Sequence, residues 1–209
     1  MQNKIGVLLI ENQTLTRIGI KTILGAQADI EIVGEAGNGA EGFELFKQLK
    51  PDVVMLGLRL SDSCAIDDLS GYFAEDKGAK IIVLAEHAGD AEISKSLKKG
   101  ALGYVCKDVS ETEIVKAIRG VAAGRRYIPQ DIANILSENF GQEELTPSEQ
   151  KILRMIVSGK TNKEIAFDLK VSENTVKTHV KNIFDKLNVS DRTSAATSAI
   201  KRGLVRVDL

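Results

Sequence analysis

Through residues 1–125, short apolar runs alternate with longer stretches in which apolar residues recur every three or four positions. The runs Ile5–Ile10, Ile30–Glu35, Val53–Leu58, Lys80–Ala85 and Leu102–Cys106 are strand-sized. Most are continuous Val, Ile and Leu rather than strict alternations, the pattern of strands covered on both faces. Helical periodicity predicts helices near Thr14–Ala26, Gly39–Leu49, Ala65–Phe73, Ala91–Lys99 and Glu111–Ala123. Asn38, Asp90 and Ser110 stand at predicted helix starts, Ser110 with Glu113 as a capping box, and Pro51 and Gly100 lie just past helix ends. Five βα units in this order predict an α/β domain with a parallel sheet and right-handed crossovers. Functional loops then belong at the carboxyl ends of the strands.

The pattern changes after residue 125. GRRYIPQDIANILSENFGQEE is polar with one helical stretch after Pro129, and residues 126–143 read as a linker with a short helix. Residues 144–209 show no strand pattern and read as four helices. Thr146 caps the first, with Pro147 at its first position, Glu149 completing a capping box and Gly159 as the stop. Asn162 opens the second, Ser172 the third and Asp191 the fourth, which Gly203 ends.

Charge separates the same regions. Residues 1–125 carry 15 Lys and Arg against 18 Asp and Glu, whereas residues 146–209 carry 12 against 7, so any nucleic-acid contact is expected at the C-terminal end, although many surface domains reach such a charge. With 43% hydrophobic residues the chain is too apolar for a disordered protein, and no apolar run reaches the roughly 18 residues of a membrane span. The N-terminal MQNKIGVLLIEN does not read as a signal peptide, so a cytoplasmic protein with no membrane contact is expected. Cys64 and Cys106 are isolated, which argues against disulfides and zinc and favours packing roles.

In the third C-terminal helix, Val176, Val180, Ile183 and Leu187 form one apolar stripe, leaving Lys177, Thr178, Lys181 and Asp185 on the opposite face. Such a face suits a DNA major groove, and the same pattern also describes an ordinary amphipathic surface helix. Thr161, Asn162, Lys163, Ser172, Asn174 and Thr175 lie near helix N-termini, where hydroxyls, amides and backbone N–H groups hold phosphates. His179 flanks the buried stripe and reads as structural. The stretch NKEIAFDL–VSENTVKTHVKNIFDKL, and Leu145–Leu204 as a whole, resembles the LuxR-type helix-turn-helix domain. The resemblance implies a four-helix DNA-binding domain whose third helix reads bases, with Lys177, Thr178 and Lys181 at the base-facing positions. It also implies a dimer contact on the fourth helix, where Ala195, Ala196 and Ala199 form a small-residue face; that face serves internal packing equally well.

The βα units, with VLLIEN, PDVVMLGLRL, IIVLAEH and GYVCKD, resemble the receiver domain of NarL/FixJ-type response regulators over about residues 3–123. That implies a flavodoxin-like (βα)5 fold. In the family a carboxylate accepts a phosphoryl group, an acidic pair binds Mg²⁺, a hydroxyl senses the phosphate and a Lys pairs with it. Here the acceptor position holds Gly57, the acidic pair is Glu11 and Asn12, the hydroxyl position holds Ala85, and only Lys107 matches. Glycine cannot form an acyl phosphate. Lys107 is expected to pair with Glu11 across the strand ends.

The sequence therefore reads as a non-enzymatic, sequence-specific transcription regulator with a degenerate receiver, controlled independently of aspartate phosphorylation and without a cofactor or metal. The expected partners are double-stranded DNA, as inverted half-sites about one helical turn apart, and a second copy of the chain. Two alternatives stay open: phosphorylation at another acid among Asp52, Asp62, Asp67 and Asp68, and a pocket that senses a small molecule or protein partner.

Overall fold

The structure, a computed structural model, describes residues 4–87, 89–138 and 143–205. Residues 139–142 of the expected linker, and the expected domain ends at 1–3 and 206–209, lie outside the described residues. The chain divides into two compact units, Met1–Ala88 with Ile93–Asn134, and Gly89–Glu92 with Ile135–Leu209.

In the first unit, strands β1 (Ile5–Ile10), β2 (Ile30–Ala36), β3 (Val53–Gly57), β4 (Ile81–Ala85) and β5 (Gly103–Cys106) form one sheet in the order β2-β1-β3-β4-β5. All four pairings are parallel. Helices α1 (Thr14–Gly25), α2 (Gly39–Leu49), α3 (Ala65–Glu75), α4 (Asp90–Lys98) and α5 (Glu111–Ala122) alternate with the strands. Both sheet faces are buried: on one, Val7, Leu9, Met55, Leu84 and Val105 pack with Ile20 and Leu24 of α1 and Ile114, Ile118 and Val121 of α5, and the alternate residues Leu8, Ile10, Val54 and Leu56 of the other face are buried as well. At about 25 cal/mol per Å² of apolar surface removed from water, this core is the main stabilising term.

The helix ends follow local chemistry. The Asn38 side chain accepts from the N–H of Glu41 at the start of α2, and Ser110 accepts from that of Glu113 at the start of α5. The reciprocal half of the Ser110 box is replaced, because the Glu113 carboxylate takes the Tyr127 hydroxyl and Lys116 instead. Gly100 ends the α4 turn at φ 108°, a left-handed conformation that glycine adopts without a Cβ clash. The first unit runs on past α5: the Tyr127 N–H donates to the Leu102 carbonyl at the edge of β5, and α6 (Gln130–Glu138) follows.

The second unit contains α7 (Pro147–Val157), α8 (Asn162–Leu169), α9 (Glu173–Leu187) and α10 (Arg192–Lys201). Thr146 and Glu149 form the expected capping box on α7. On α8 the cap is Thr161 rather than Asn162: Thr161 and Glu164 form a second complete capping box, which places Asn162 inside the helix. Val176, Val180, Ile183 and Leu187 are all buried, together with Ile152, Leu153 and Ile156 of α7 and Ile165 of α8.

Candidate functional site

The parallel register decides what meets at the carboxyl edge of the sheet. Ile10 pairs with Leu56, Gly57 with Leu84 and Ala85 with Cys106, so the residues that follow the strands emerge side by side. Glu11 and Lys107 meet there. Lys107 Nζ lies 2.9 Å from Glu11 Oε1; the Glu11 side chain is fully buried and the Lys107 side chain is 13% exposed. The expected ion pair is present. Asn12 is exposed, and Gly57 and Ala85 are buried.

A carboxylate without solvent contact needs compensating donors. Oε1 has two, Lys107 and the Gln13 N–H at 2.9 Å. Oε2 has none among the described residues. It turns instead toward Gly57, where a Cβ would lie 3.0 Å from Oε2, 3.1 Å from Leu60 Cδ2 and 3.2 Å from the Ile10 carbonyl oxygen. The space beside Gly57 is filled by Glu11.

Three residues without an assigned role in the sequence complete this edge. The Gln13 side chain donates to Glu86 and accepts from Lys107 at 3.3 Å, joining the loops after β1, β4 and β5. Arg17 Nη1 donates to the Glu11 carbonyl at 2.6 Å. Gln13 lies two residues beyond Glu11 in the same loop, the one local hint of its role; Glu86 meets it only through the fold.

The other acids have different occupations. Asp52 accepts from the Gly6 N–H at 2.7 Å, at the start of β3 and so at the amino edge of the sheet. Asp62 accepts from Gly39 and Ala40 at 2.7 and 3.0 Å, and these two N–H groups at the α2 N-terminus hold its carboxyl below the usual aspartate range. Asp68 accepts from the Ser63 hydroxyl at 2.6 Å. Cys64 and Cys106 are buried free thiols.

The family fold implies Mg²⁺, which usually keeps several waters and one or two carboxylates. The donor set does not fit it. In the loop that follows β1 the acidic pair is reduced to Glu11, whose Oε1 belongs to Lys107 and Gln13 and whose Oε2 is closed against Gly57. Among the described residues no group of three His, Cys, Asp or Glu is placed to hold a metal.

The second unit presents a different surface. Opposite the buried stripe of α9, Lys177, Thr178 and Lys181 are exposed, as are Lys163, Ser172, Asn174 and Thr175. Lys177 is held by Glu173, 3.2 Å away on the same helix, and the Thr178 hydroxyl donates to the Asn174 carbonyl. Lys181 makes no ion pair among the described residues. The Thr175 N–H donates to the Ser172 hydroxyl, so Ser172 caps α9 as expected. Thr161 is occupied with Glu164, and Asn162 is half-buried and accepts from Arg192 at 3.3 Å, an intradomain partner that the sequence reading did not include. His179 is half-buried with its Nδ1 shielded from solvent.

The alanine face of α10 is a correction. Ala195 and Ala199 are fully buried within the core of their own unit, so neither can touch a second copy, and Ala196 is only partly buried. One turn of 100° per residue puts Thr193, Thr197 and Ile200 outward instead, and all three are exposed.

Comparison with known proteins agrees with this two-part layout. The response regulator receiver domain matches residues 7–119, and the luxR family of bacterial regulatory proteins matches residues 143–199. The transcriptional regulatory protein LiaR of Bacillus subtilis (strain 168) is 40% identical over 209 residues, covering 96% of this chain and 99% of its own. A crystal structure of the response regulator ChrA of a heme-sensing two-component system is 30% identical, with a TM-score of 0.57, covering 97% of this chain and 99% of its own. RcsB from Salmonella enterica serovar Typhimurium, bound to promoter P1flhDC with the phosphomimetic BeF3-, shares the fold at 22% identity, with a TM-score of 0.76 and coverage of 95% and 99%. No helix among the described residues is long and apolar enough to cross a membrane. The chain belongs to the response regulators of the luxR family, DNA-binding regulators rather than enzymes.

Proposed function

We propose that this chain is a cytoplasmic, sequence-specific transcription regulator that binds operator DNA as a homodimer and is controlled without aspartate phosphorylation. The observation that carries the second half is Gly57 at the carboxyl end of β3, backed by the buried Glu11–Lys107 pair. A glycine offers no carboxylate to a phosphoryl donor. Lys107 already has an anion, and Asp52, Asp62 and Asp68 are engaged by Gly6, by the α2 N-terminus and by Ser63. The proposed domains are residues 1–125 and 144–209, and the start of the linker between them packs on the first through the Tyr127 bond to Leu102.

The DNA-facing surface is proposed to be the exposed side of α9. Lys177, Thr178 and Lys181 reach base edges there. Lys163, Ser172, Asn174 and Thr175 hold phosphates near the starts of α8 and α9, with Asn162 contributing its backbone N–H at the same end, while Thr161 acts by capping α8 because Glu164 takes its N–H and hydroxyl. Inverted half-sites follow from a two-fold dimer. The outward side of α10, with Thr193, Ala196, Thr197 and Ile200, is the revised candidate for the dimer contact. Cellular amount is the proposed control, with a protein or small-molecule regulator as the next possibility.

Incubation of the full chain with acetyl phosphate and Mg²⁺, followed by intact-mass measurement and an electrophoretic shift, tests this reading. The expected result is an unmodified mass and unchanged DNA affinity. An aspartyl-phosphate adduct with affinity rising in step would overturn it.

A further inference from the structure

The loss of the acceptor is accompanied by a second change that closes the space behind it. Glu11 is one carbon longer than aspartate, and that length carries its carboxylate over Gly57. There Oε2 lies 3.0 Å from where any Cβ at 57 would stand. Real Cβ contacts are rarely so short, and the Ile10 carbonyl at 3.2 Å is backbone that cannot swing aside. The same carboxylate holds Lys107 through Oε1. We infer that Glu11 is the resident anion of this pocket: it takes both the volume of the missing side chain at 57 and the cation that would face it, so restoring an aspartate at 57 alone does not restore a phosphoacceptor. This rests on the reading that position 57 is the silent acceptor, and it goes further by naming Glu11 as the positioning residue that keeps it silent.

A carboxylate carried on a Cβ that stands 3.0 Å from Oε2 is crowded against Glu11, and two neighbouring like charges in a poorly hydrated site cannot both stay ionised without a cation between them. Lys107 cannot serve both without leaving Oε1. A single Gly57→Asp variant is therefore expected to have its new carboxylate protonated beside Glu11, and a neutral carboxylic acid is a poor nucleophile. Shortening Glu11 to aspartate withdraws Oε2 from position 57, and Asn12→Asp supplies a second metal carboxylate.

The test uses the full chain in four forms: unaltered, Gly57→Asp, Gly57→Asp with Glu11→Asp, and the triple form that adds Asn12→Asp. Each is incubated with acetyl phosphate and Mg²⁺ and weighed intact. Where transfer occurs, the introduced carboxylate oxygen bonds to phosphorus, the bond from phosphorus to the acetyl oxygen breaks, and acetate leaves. The expected result is no adduct on the unaltered chain or on Gly57→Asp, and one phosphoryl group on the triple form. Uptake by Gly57→Asp equal to that of the triple form would overturn the inference while leaving the proposed function intact. Uptake by the unaltered chain would instead overturn the proposed function. A folded triple form that stays unmodified would also overturn the inference, because withdrawing Glu11 would not have reopened the pocket.

A second measurement needs no acceptor. In nitrogen-15 NMR of the unaltered chain, the Lys107 ammonium is expected to show the slow hydrogen exchange of a held ion pair, and Glu11→Gln is expected to abolish that signal. Persistence of the signal in Glu11→Gln would show that another group holds Lys107, and the inference would fail even if the triple form did not fold.

Discussion

Lys107 and Lys177 each face one glutamate at nearly the same distance, 2.9 and 3.2 Å, in surroundings that give the two contacts opposite meanings. Glu11 is fully buried and its lysine is 13% exposed, whereas Lys177 and Glu173 are 59% and 48% exposed. A buried pair has lost its hydration, so each charge depends on the other. An exposed helical pair is worth a few tenths of a kcal/mol and gives way when a better partner arrives. The first contact therefore fixes a structure, and the second leaves its lysine free to exchange partners. The receiver unit has turned its strand-end lysine inward, while the helix-turn-helix unit keeps its lysines on the surface.

The largest test of this contrast is Lys107→Met. It leaves Glu11 buried with only the Gln13 N–H on Oε1, and removing one partner of a buried pair costs about 3–5 kcal/mol. Urea unfolding of the chain should show that loss in the receiver transition. Glu11→Leu combined with Lys107→Met removes both charges and should recover most of it, since an apolar replacement of a buried pair is often neutral. If the double form is as unstable as Lys107→Met, the loss arises from packing rather than from the uncompensated carboxylate.

Next in size is Lys181→Ala. This side chain is exposed on α9 and makes no ion pair among the described residues, so its removal should leave the fold intact. If it reads a base, specific binding should weaken by about 1–3 kcal/mol while binding to random duplex changes little. An electrophoretic shift on selected and random DNA separates the two; equal loss on both would assign Lys181 to the phosphate backbone, with a shallower salt dependence.

The strand ends are legible because continuous apolar runs stop where the sheet stops, and the receiver resemblance then assigns Glu11, Gly57, Ala85 and Lys107 to one edge. The buried stripe of α9 was legible for the same reason, through its 3.6-residue period. Contacts between loops were not. Gln13 reaches Glu86 and Lys107 only after three parallel strands are in register, and nothing local distinguishes it from a solvated glutamine. The α10 alanines failed differently: a stripe of small residues looks the same whether it meets its own core or another chain, and neighbouring bulk decided it, since Ala195 and Ala199 pack in the core that holds Ile152, Ile156 and Ile183. Asn162 and Thr161 compete for one cap, and Glu164, three residues after Thr161, settles the choice.

A smaller effect concerns acid. Burial pushes the Glu149 carboxyl up, but the Thr146 N–H, Lys186 and the Thr146 hydroxyl outweigh it and hold the group below the usual glutamate range. A carboxyl depressed in the folded state contributes stability that is complete above its unfolded pKa and is lost as pH falls through the folded one. The helix-turn-helix unit should therefore lose stability below the ordinary glutamate range. Thr146→Ala removes the cap hydroxyl and should cost about 1 kcal/mol at neutral pH. Because it also removes one of the groups that lower Glu149, its deficit should shrink as the solution is acidified. A deficit constant from neutral to acid pH would mean that the hydroxyl does not stabilise the ionised carboxylate.

The smallest effect falls on the exposed pair. Glu173 sits in the first turn of α9, where a negative charge favours the helix dipole by about 0.3–1 kcal/mol, so Glu173→Gln should lower the melting temperature slightly. On DNA the sign reverses. In the free protein Lys177 must leave Glu173 before it can reach a guanine, and the glutamate itself lies near the phosphates that Ser172 and Asn174 are proposed to hold. Releasing a pair worth about 0.2–0.5 kcal/mol should tighten binding roughly two-fold at low salt, and the gain should fade as salt screens both contacts. The same substitution in a Lys177→Ala background should lose most of that gain, because no lysine is left to release. An undiminished gain there would show that Glu173 acts on DNA by direct repulsion, and that Lys177 is free to bind whether or not its helical partner is charged.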